Sequence, residues 1–177
     1  QAMGYWINAG MQSSATLNVI ADGHVAILTG SPDIGGSRAS MALMASEVLG
    51  IPFEHIHPQV AATDAVGHTD LTGGSRTTLA TGQAVIQAAE QCVAELCRRA
   101  AAEWEVEPGL VTWSQGAAHY DDKSLTFEEL ASRAGAMGGP LTFSSSLTSF
   151  STAPGFGVHI CDAEVDKETG RTTITRY

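Results

Sequence analysis

The stretch TLNVIADGHVAILTGSPDIGGSRASMALMASEVLG, residues 16–50, contains the pattern that decides the fold. Apolar and polar side chains alternate over residues 16–21 and again over residues 24–30, which is typical of strands with one buried face. Between them stands Asp22-Gly23, and an Asp-Gly connection is a strong signal for a β-hairpin. The first half of the stretch therefore predicts two paired antiparallel strands.

The second half of the stretch changes to a helical period. From Arg38 to Leu49 the apolar residues recur every three or four positions, and Gly50 with Pro52 predicts the end of that helix. A longer segment, from about Arg76 to Glu105, carries small and apolar residues with the same period along one face. These two segments are the main predicted helices, and their small residues favour close packing.

The remaining predicted elements are shorter. They are a strand at residues 56–62, a hairpin of residues 110–113 and 117–120, a helix from Thr126 with a capping-box Glu129 and an end near Gly135 or Gly138, an edge strand at 141–152, and a hairpin of residues 157–166 and 171–177. Together they predict an α+β fold with a mixed, largely antiparallel sheet and two main helices opening at glycine-rich loops. Because the last strand runs to Tyr177, we expect residues 1–177 to be a single domain of a longer polypeptide.

The composition limits the classes of partner. The 177 residues carry a formal net charge of −10, and this negative surface repels nucleic acid and anionic membranes. No apolar run approaches the roughly 18–20 residues of a membrane span. The three cysteines, Cys92, Cys97 and Cys161, lack paired spacing and are expected to be free thiols, which suits the cytoplasm, with the periplasm as the alternative.

A near-repeat is the feature best suited to chemistry: Gly35-Gly36-Ser37-Arg38 and Gly73-Gly74-Ser75-Arg76. Each tetrapeptide opens a predicted helix. An anion there could be surrounded by backbone N–H groups, an arginine and hydroxyls, including that of Thr77. The pattern predicts a two-sided cradle for a phosphate-bearing cofactor. The alternative is that each serine is only an N-cap. Neither copy is a P-loop or a dinucleotide-binding fingerprint.

Other candidate sites are weaker. His55 and His57 share one side of a predicted strand, as two metal ligands would, but no third ligand accompanies them in the sequence. A G-x-S-x-G nucleophile motif does not occur. The sequence by itself assigns no catalytic residue and no metal ligand.

Three stretches carry a family resemblance. They are TGSPDIGGSRASMALMASEVLGIPFEHI, TDLTGGSRTTLATGQAVIQAA and GFGVHICDAEVDKETGRTTITRY. In order and spacing they resemble the molybdopterin-binding region of the xanthine dehydrogenase/aldehyde oxidase family, the molybdenum hydroxylases. The resemblance covers nearly the whole chain.

The resemblance implies cofactor-binding roles for both glycine loops. By its motif, Gly73, Gly74, Ser75, Arg76 and Thr77 would hold the pterin and its phosphate, and Gly35, Gly36, Ser37 and Arg38 would form the opposite side. The family usually has Gly-Gln-Gly in the first loop, whereas Gly36 stands at the glutamine position in this chain. The implied cofactor is molybdopterin with molybdenum, in the cytosine dinucleotide form common among bacterial members.

The resemblance also implies that this chain holds only part of an active site. The catalytic glutamate of the family lies in a G-x-G-E motif, which does not occur in this sequence. The expected enzyme inserts water-derived oxygen into an aldehyde or N-heterocycle, with iron–sulfur and flavin groups in partner subunits or domains. The alternative function is a non-catalytic, acidic α+β module that binds another protein.

Overall fold

The computed structural model describes residues 1–149 and 153–177. Its strands are β1 (Ala2–Trp6), β2 (Met11–Val19), β3 (Val25–Thr29), β4 (Ile56–Val60), β5 (Thr112–Ser114), β6 (Ala117–Tyr120), β7 (Lys123–Thr126), β8 (Leu141–Ser149), β9 (Gly155–His159), β10 (Asp162–Val165) and β11 (Thr172–Arg176). Its α-helices are α1 (Ser37–Leu49), α2 (Gly82–Trp104) and α3 (Phe127–Ser132). A π-helical turn, Thr77–Thr81, leads directly into α2.

The central sheet has four strands in the order β4-β3-β2-β8. The pair β3 and β4 is parallel, and the other two pairs are antiparallel. The β2–β3 hairpin turns at Asp22 and Gly23, and Gly23 has a φ of +84°, a conformation that glycine adopts without strain. The predicted α+β fold with a mixed, largely antiparallel sheet is confirmed.

Both main helices pack on the same face of this sheet. Ala15 and Leu17 of β2 and Val25 and Ile27 of β3 share one apolar core with α1 and α2. Alanines line the buried face of α2, so the helix lies close to the sheet and to α1. The helix α1 ends as predicted at Gly50, whose N–H donates to the Ser46 carbonyl at 2.8 Å.

A smaller three-stranded sheet, β5-β6-β7, carries α3. The capping box of Thr126 and Glu129 at the start of α3 is confirmed. The helix ends at Ser132, before the predicted glycines, because the chain continues in turns. The strand β7 was not predicted, since its four residues are too few to show a period.

The C-terminal strands pair differently from the prediction. The predicted hairpin of residues 157–166 and 171–177 holds only for β10 and β11, whereas β9 pairs with the unpredicted strand β1. The prediction was wrong for residues 157–159 because a distant partner competes for that strand. The edge position of β8 is confirmed, and residues 150–152 of the predicted strand 141–152 lie outside the described residues.

Candidate functional site

Both main helices begin at the same end of the central sheet. Ala15 of β2 lies opposite Thr29 of β3, so Ser13 and Ser31 are at the same end. The hydroxyl of Thr81, in the π-helical turn, lies 3.1 Å from the Ser13 hydroxyl and 2.7 Å from that of Ser31. The segments that lead into the two main helices therefore meet at this end of the helical face of the sheet.

The first glycine loop presents an open surface. Gly35 and Gly36 have φ angles of +96° and +85°, and Gly36 is the residue just before α1. A Cβ built on either glycine would meet no atom of residues 1–149 and 153–177 within 4 Å. A flat group could therefore lie directly against this backbone.

The donors of the first loop are bound by Asp33. One of its carboxylate oxygens accepts from the N–H groups of Gly35 and Ser37 at 3.1 Å each and from the Ser37 hydroxyl at 3.0 Å. The other oxygen accepts from the Arg38 Nε at 2.8 Å. In this structure the N–H groups of Gly35 and Ser37 are therefore engaged by an internal carboxylate at the helix start, where a phosphate would otherwise be favoured.

The second glycine loop has two consecutive residues with left-handed backbone. Gly74 and Ser75 have φ angles of +62° and +56°. A Cβ on Gly74 would lie 2.9 Å from the Cβ of Ala9, and a valine there would be strained with or without a ligand. The residue next to the helical turn is Arg76, and no side-chain hydrogen bond from the described residues caps this turn. Ser75 is therefore not an N-cap.

Arg76 anchors the second loop from inside. Its side chain is buried, with 1% of its surface exposed. All five of its N–H donors are used, on the carbonyl oxygens of Gly10, Gln12, Asp70 and Leu71 and on the Ser13 hydroxyl. Burial lowers the pKa of the guanidinium, and the charge of Asp70 opposes that shift. The guanidinium thus holds the loop against β2 and does not face outward.

A groove opens beside the second loop. It has a volume of about 440 Å³, within the range of small-molecule sites. The hydroxyl residues Ser75 and Thr78 line it together with Gln83, and the remaining walls include Met44, Leu79 and Ile86. Next to it, the buried Thr77 Oγ1 has no hydrogen-bond partner among the described residues. The groove therefore combines an apolar wall with hydroxyl donors, as a flat heterocycle with polar edges requires.

A family model described as a molybdopterin cofactor-binding domain matches residues 2–177. The chain belongs to this molybdopterin cofactor-binding family. The family resemblance of the three sequence stretches is confirmed, and membership favours the cofactor function over the protein-binding alternative.

Curated relatives of the cofactor-binding domain are much longer proteins. Xanthine dehydrogenase of Drosophila subobscura is 34% identical over 151 residues, which are 84% of this chain and 9% of that protein. Xanthine dehydrogenase of Calliphora vicina is 37% identical over 81 residues, 45% of this chain and 6% of the relative. The chain thus spans about a tenth of the curated relatives that it matches.

Solved structures share the fold of the domain. The Cu,Mo-CO dehydrogenase is 25% identical, with a TM-score of 0.87 over 98% of this chain and 25% of that one. Quinoline 2-oxidoreductase from Pseudomonas putida 86 has a TM-score of 0.78 at 20% identity, over 98% of this chain and 26% of its own, and shows the fold alone.

None of the described helices is long and apolar enough to cross a membrane.

Three histidines lie together at the opposite end of the sheet. The ring of His24 lies against His55 and His57, with centroid distances of 4.7 and 5.3 Å. The sequence did not reveal His24 as their neighbour. Over residues 1–149 and 153–177, no group of three or more histidines, cysteines or carboxylates is placed to hold a metal ion.

Sequence reasoning missed Asp33, although its position carried a signal. Asp33 stands two residues before Gly35, and an aspartate commonly binds the backbone N–H two residues on. Gln83, which no sequence pattern indicated, lines the groove together with Ser75 and Thr78.

Asp33→Asn is expected to lower the melting temperature of the domain in a pH-dependent way. Hydrogen bonds lower the pKa of the Asp33 carboxyl from 3.8 to about 2, and the bond from Arg38 contributes more than those from Ser37 and Gly35. A carboxyl with a lowered pKa stabilises the fold fully above its unfolded pKa, and this stabilisation is lost as the pH falls through its folded pKa. The difference in melting temperature between wild type and variant should be constant near neutral pH. It should shrink as the pH falls from about 4 to about 2.

Thermal unfolding followed by circular dichroism across this pH range measures the effect. Asp64→Asn, a change at another exposed aspartate, is the control. A melting-temperature difference for Asp33→Asn that persists unchanged at the lowest pH would contradict the assigned role of the carboxylate.

Proposed function

We propose that this chain is the cofactor-binding part of a molybdenum hydroxylase, an oxidoreductase that inserts water-derived oxygen into an aldehyde or N-heterocycle. The observation that carries the proposal is the hydroxyl-lined groove beside the second glycine loop in a domain of a molybdopterin-binding family. Similar proteins named xanthine dehydrogenase support this substrate class. We further propose that residues 1–177 are one domain of a longer large subunit.

The two glycine loops have different roles in this proposal. Gly73, Gly74, Ser75 and Thr77 hold the pterin and its phosphate, with Thr78 added from the groove. Gly35, Gly36 and Ser37 form the opposite surface, against which a flat ring packs. Arg76, predicted as a cofactor ligand, acts indirectly because the start of β2 and residues 70–71 engage all of its donors. Arg38, also predicted as a cofactor ligand, has an exposed side chain whose Nε donates to Asp33.

The cofactor supplies the redox chemistry when it is bound, and this chain holds the cofactor in position. We propose the cytosine dinucleotide form of molybdopterin, whose additional phosphate requires a second set of donors. The described residues offer hydroxyls and backbone for binding, and the general base belongs to a G-x-G-E motif outside this sequence. The isolated chain is therefore expected to be inactive, with iron–sulfur and flavin groups on partner subunits or domains receiving the electrons.

The cysteines bear on the compartment that we propose, the cytoplasm. Cys92, Cys97 and Cys161 are free thiols. Burial raises the pKa of Cys92 to about 12 and also raises the pKa of Cys97, so neither is a reactive thiolate at neutral pH. Such thiols serve packing and suit a reducing environment.

Ser75→Ala tests the proposed function. If the hydroxyl donates to a charged oxygen of the cofactor, its loss removes a bond worth roughly 10- to 150-fold in cofactor retention. Because Ser75 caps no helix, the melting temperature of the cofactor-free protein should stay unchanged. Cofactor retention is measured as the molybdenum content, by plasma mass spectrometry, and the pterin content, by fluorescence, each per mole of protein.

The matched control is Ser124→Ala, at an exposed serine of the remote three-stranded sheet. It should retain cofactor like the wild type. Equal molybdenum and pterin contents in Ser75→Ala and Ser124→Ala would remove Ser75 from the site. Wild-type protein that carries neither molybdenum nor pterin would overturn the proposed function itself.

A further inference from the structure

The strand β8 is an unprotected edge of the central sheet. Its nine residues pair with β2 from Leu141 to Ser149 without a register shift, and no strand of the described residues pairs with its other side. Natural proteins protect sheet edges from further pairing with charges, prolines or bulges. The sequence of β8, LTFSSSLTS, contains no charged residue and no proline. The outer side of β8 is therefore a template for another strand.

The other edge of the same sheet is built differently. The strand β4 has only five residues, and one of them is Pro58, which has no backbone N–H to donate. A short edge strand with a proline is a poor partner for a further strand. Of the two edges, β8 is therefore the one suited to pairing.

The residues of β8 are arranged almost symmetrically about Ser145. Antiparallel pairing of two copies of the strand, centred on Ser145, brings together Thr142 and Thr148, Ser144 and Ser146, and Phe143 and Leu147. The first two pairs are exposed hydroxyl residues, and the third is an apolar pair partly buried against the core. Pairs of hydroxyl residues and pairs of apolar residues both stabilise neighbouring strands. The strand thus has the self-complementary pattern that a two-fold contact requires.

Charge restricts where two copies of this chain can meet. The net charge of −10 makes the copies repel each other over most of their surface. At the β8 edge, the Ser145 hydroxyl donates to Gln87 of α2, and Gln91 and Ala94 follow on the same side of the helix. These exposed helix residues are uncharged, like β8 itself. A contact here therefore avoids placing carboxylates against each other.

We propose that β8 is a dimerisation surface, at which a second copy of this chain pairs antiparallel with Leu141–Ser149 about a two-fold axis at Ser145. The two four-stranded sheets then form one sheet of eight strands. A second copy is the partner because the strand is complementary to itself in both side-chain pattern and charge. This inference does not depend on the proposed function, since it involves neither glycine loop.

Two double variants test the pairing and its register. Ser144→Lys with Ser146→Lys places lysine opposite lysine twice across the two-fold axis, whereas Ser144→Lys with Ser146→Glu places lysine opposite glutamate twice. Self-association of the Lys/Lys variant is expected to be at least about tenfold weaker than that of the Lys/Glu variant. The Lys/Lys variant is also the less negative chain, so long-range repulsion cannot produce this result. Sedimentation equilibrium of the purified chain from about 1 μM to about 1 mM measures the association.

The control is Gln59→Lys, at an exposed position of the β4 edge, which should dimerise like the wild type. Melting temperatures of dilute samples check the fold, and both double variants lose the same 2.9 Å contact between the Thr16 and Ser144 hydroxyls. Wild-type protein that remains monomeric up to about 1 mM would overturn the proposal. So would equal association of the two double variants, or loss of association in the Lys/Glu variant, because either result would exclude this register at β8.

Discussion

Arg76→Met is expected to lower the free energy of unfolding by about 3–5 kcal/mol. Methionine retains much of the apolar stem but removes all five donors. Their acceptors lose charge-assisted bonds, each worth about 1.5–3 kcal/mol, and water replaces only part of this loss. The acceptors belong to the start of β2 and to the loop before the second glycine pair, namely Gly10, Gln12, Ser13, Asp70 and Leu71.

The repeated motif provides a matched control for this prediction. Arg38 has the same position in the first tetrapeptide, but its side chain is 58% exposed and, among the described residues, bonds to Asp33 alone. Arg38→Met should therefore cost much less, since exposed ion pairs contribute little. Urea unfolding of both variants measures the difference. A loss of stability in Arg76→Met no larger than that in Arg38→Met would contradict the anchoring role.

The two tetrapeptides also mark the limit of sequence reasoning at the site. Their identical letters predicted equivalent roles, and their positions near two helix starts could be predicted from local periodicity. The hydrogen-bond partners of the two arginines could not be predicted in this way. The acceptors of Arg76 at Gly10 and Gln12 are 66 and 64 residues away in sequence. The partner of Arg38 is five residues away.

The same distinction holds for the fold. The β2–β3 hairpin, α1 and the capping box of α3 depend on contacts within a few residues, and local patterns predicted all three. The pairing of β1 with β9 joins Ala2 to His159, and neither strand carries a signal for the other. The π-helical turn before α2 was likewise not predicted, because Thr81 of this turn is also bonded to the distant Ser13 of β2 and Ser31 after β3.

Thr78→Phe is expected to abolish most cofactor binding while leaving the fold intact. Thr78 is exposed and lines the groove three residues after Ser75. A phenyl ring there would fill part of the cavity of about 440 Å³ and remove a hydroxyl from its wall. Steric exclusion combined with a lost hydrogen bond should reduce the retained molybdenum and pterin by more than about tenfold.

Two variants control for the size and the chemistry of this change. Thr78→Ser keeps the hydroxyl and the space, and it should bind cofactor like the wild type. Thr142→Phe places the same ring at an exposed position of β8 and should have no effect on retention. Because Thr78 points to the groove and not to the core, the melting temperature of cofactor-free Thr78→Phe should match that of the wild type. Full cofactor content in Thr78→Phe would mean that the cofactor does not occupy the groove, and the assignment of the second glycine loop would fall with it.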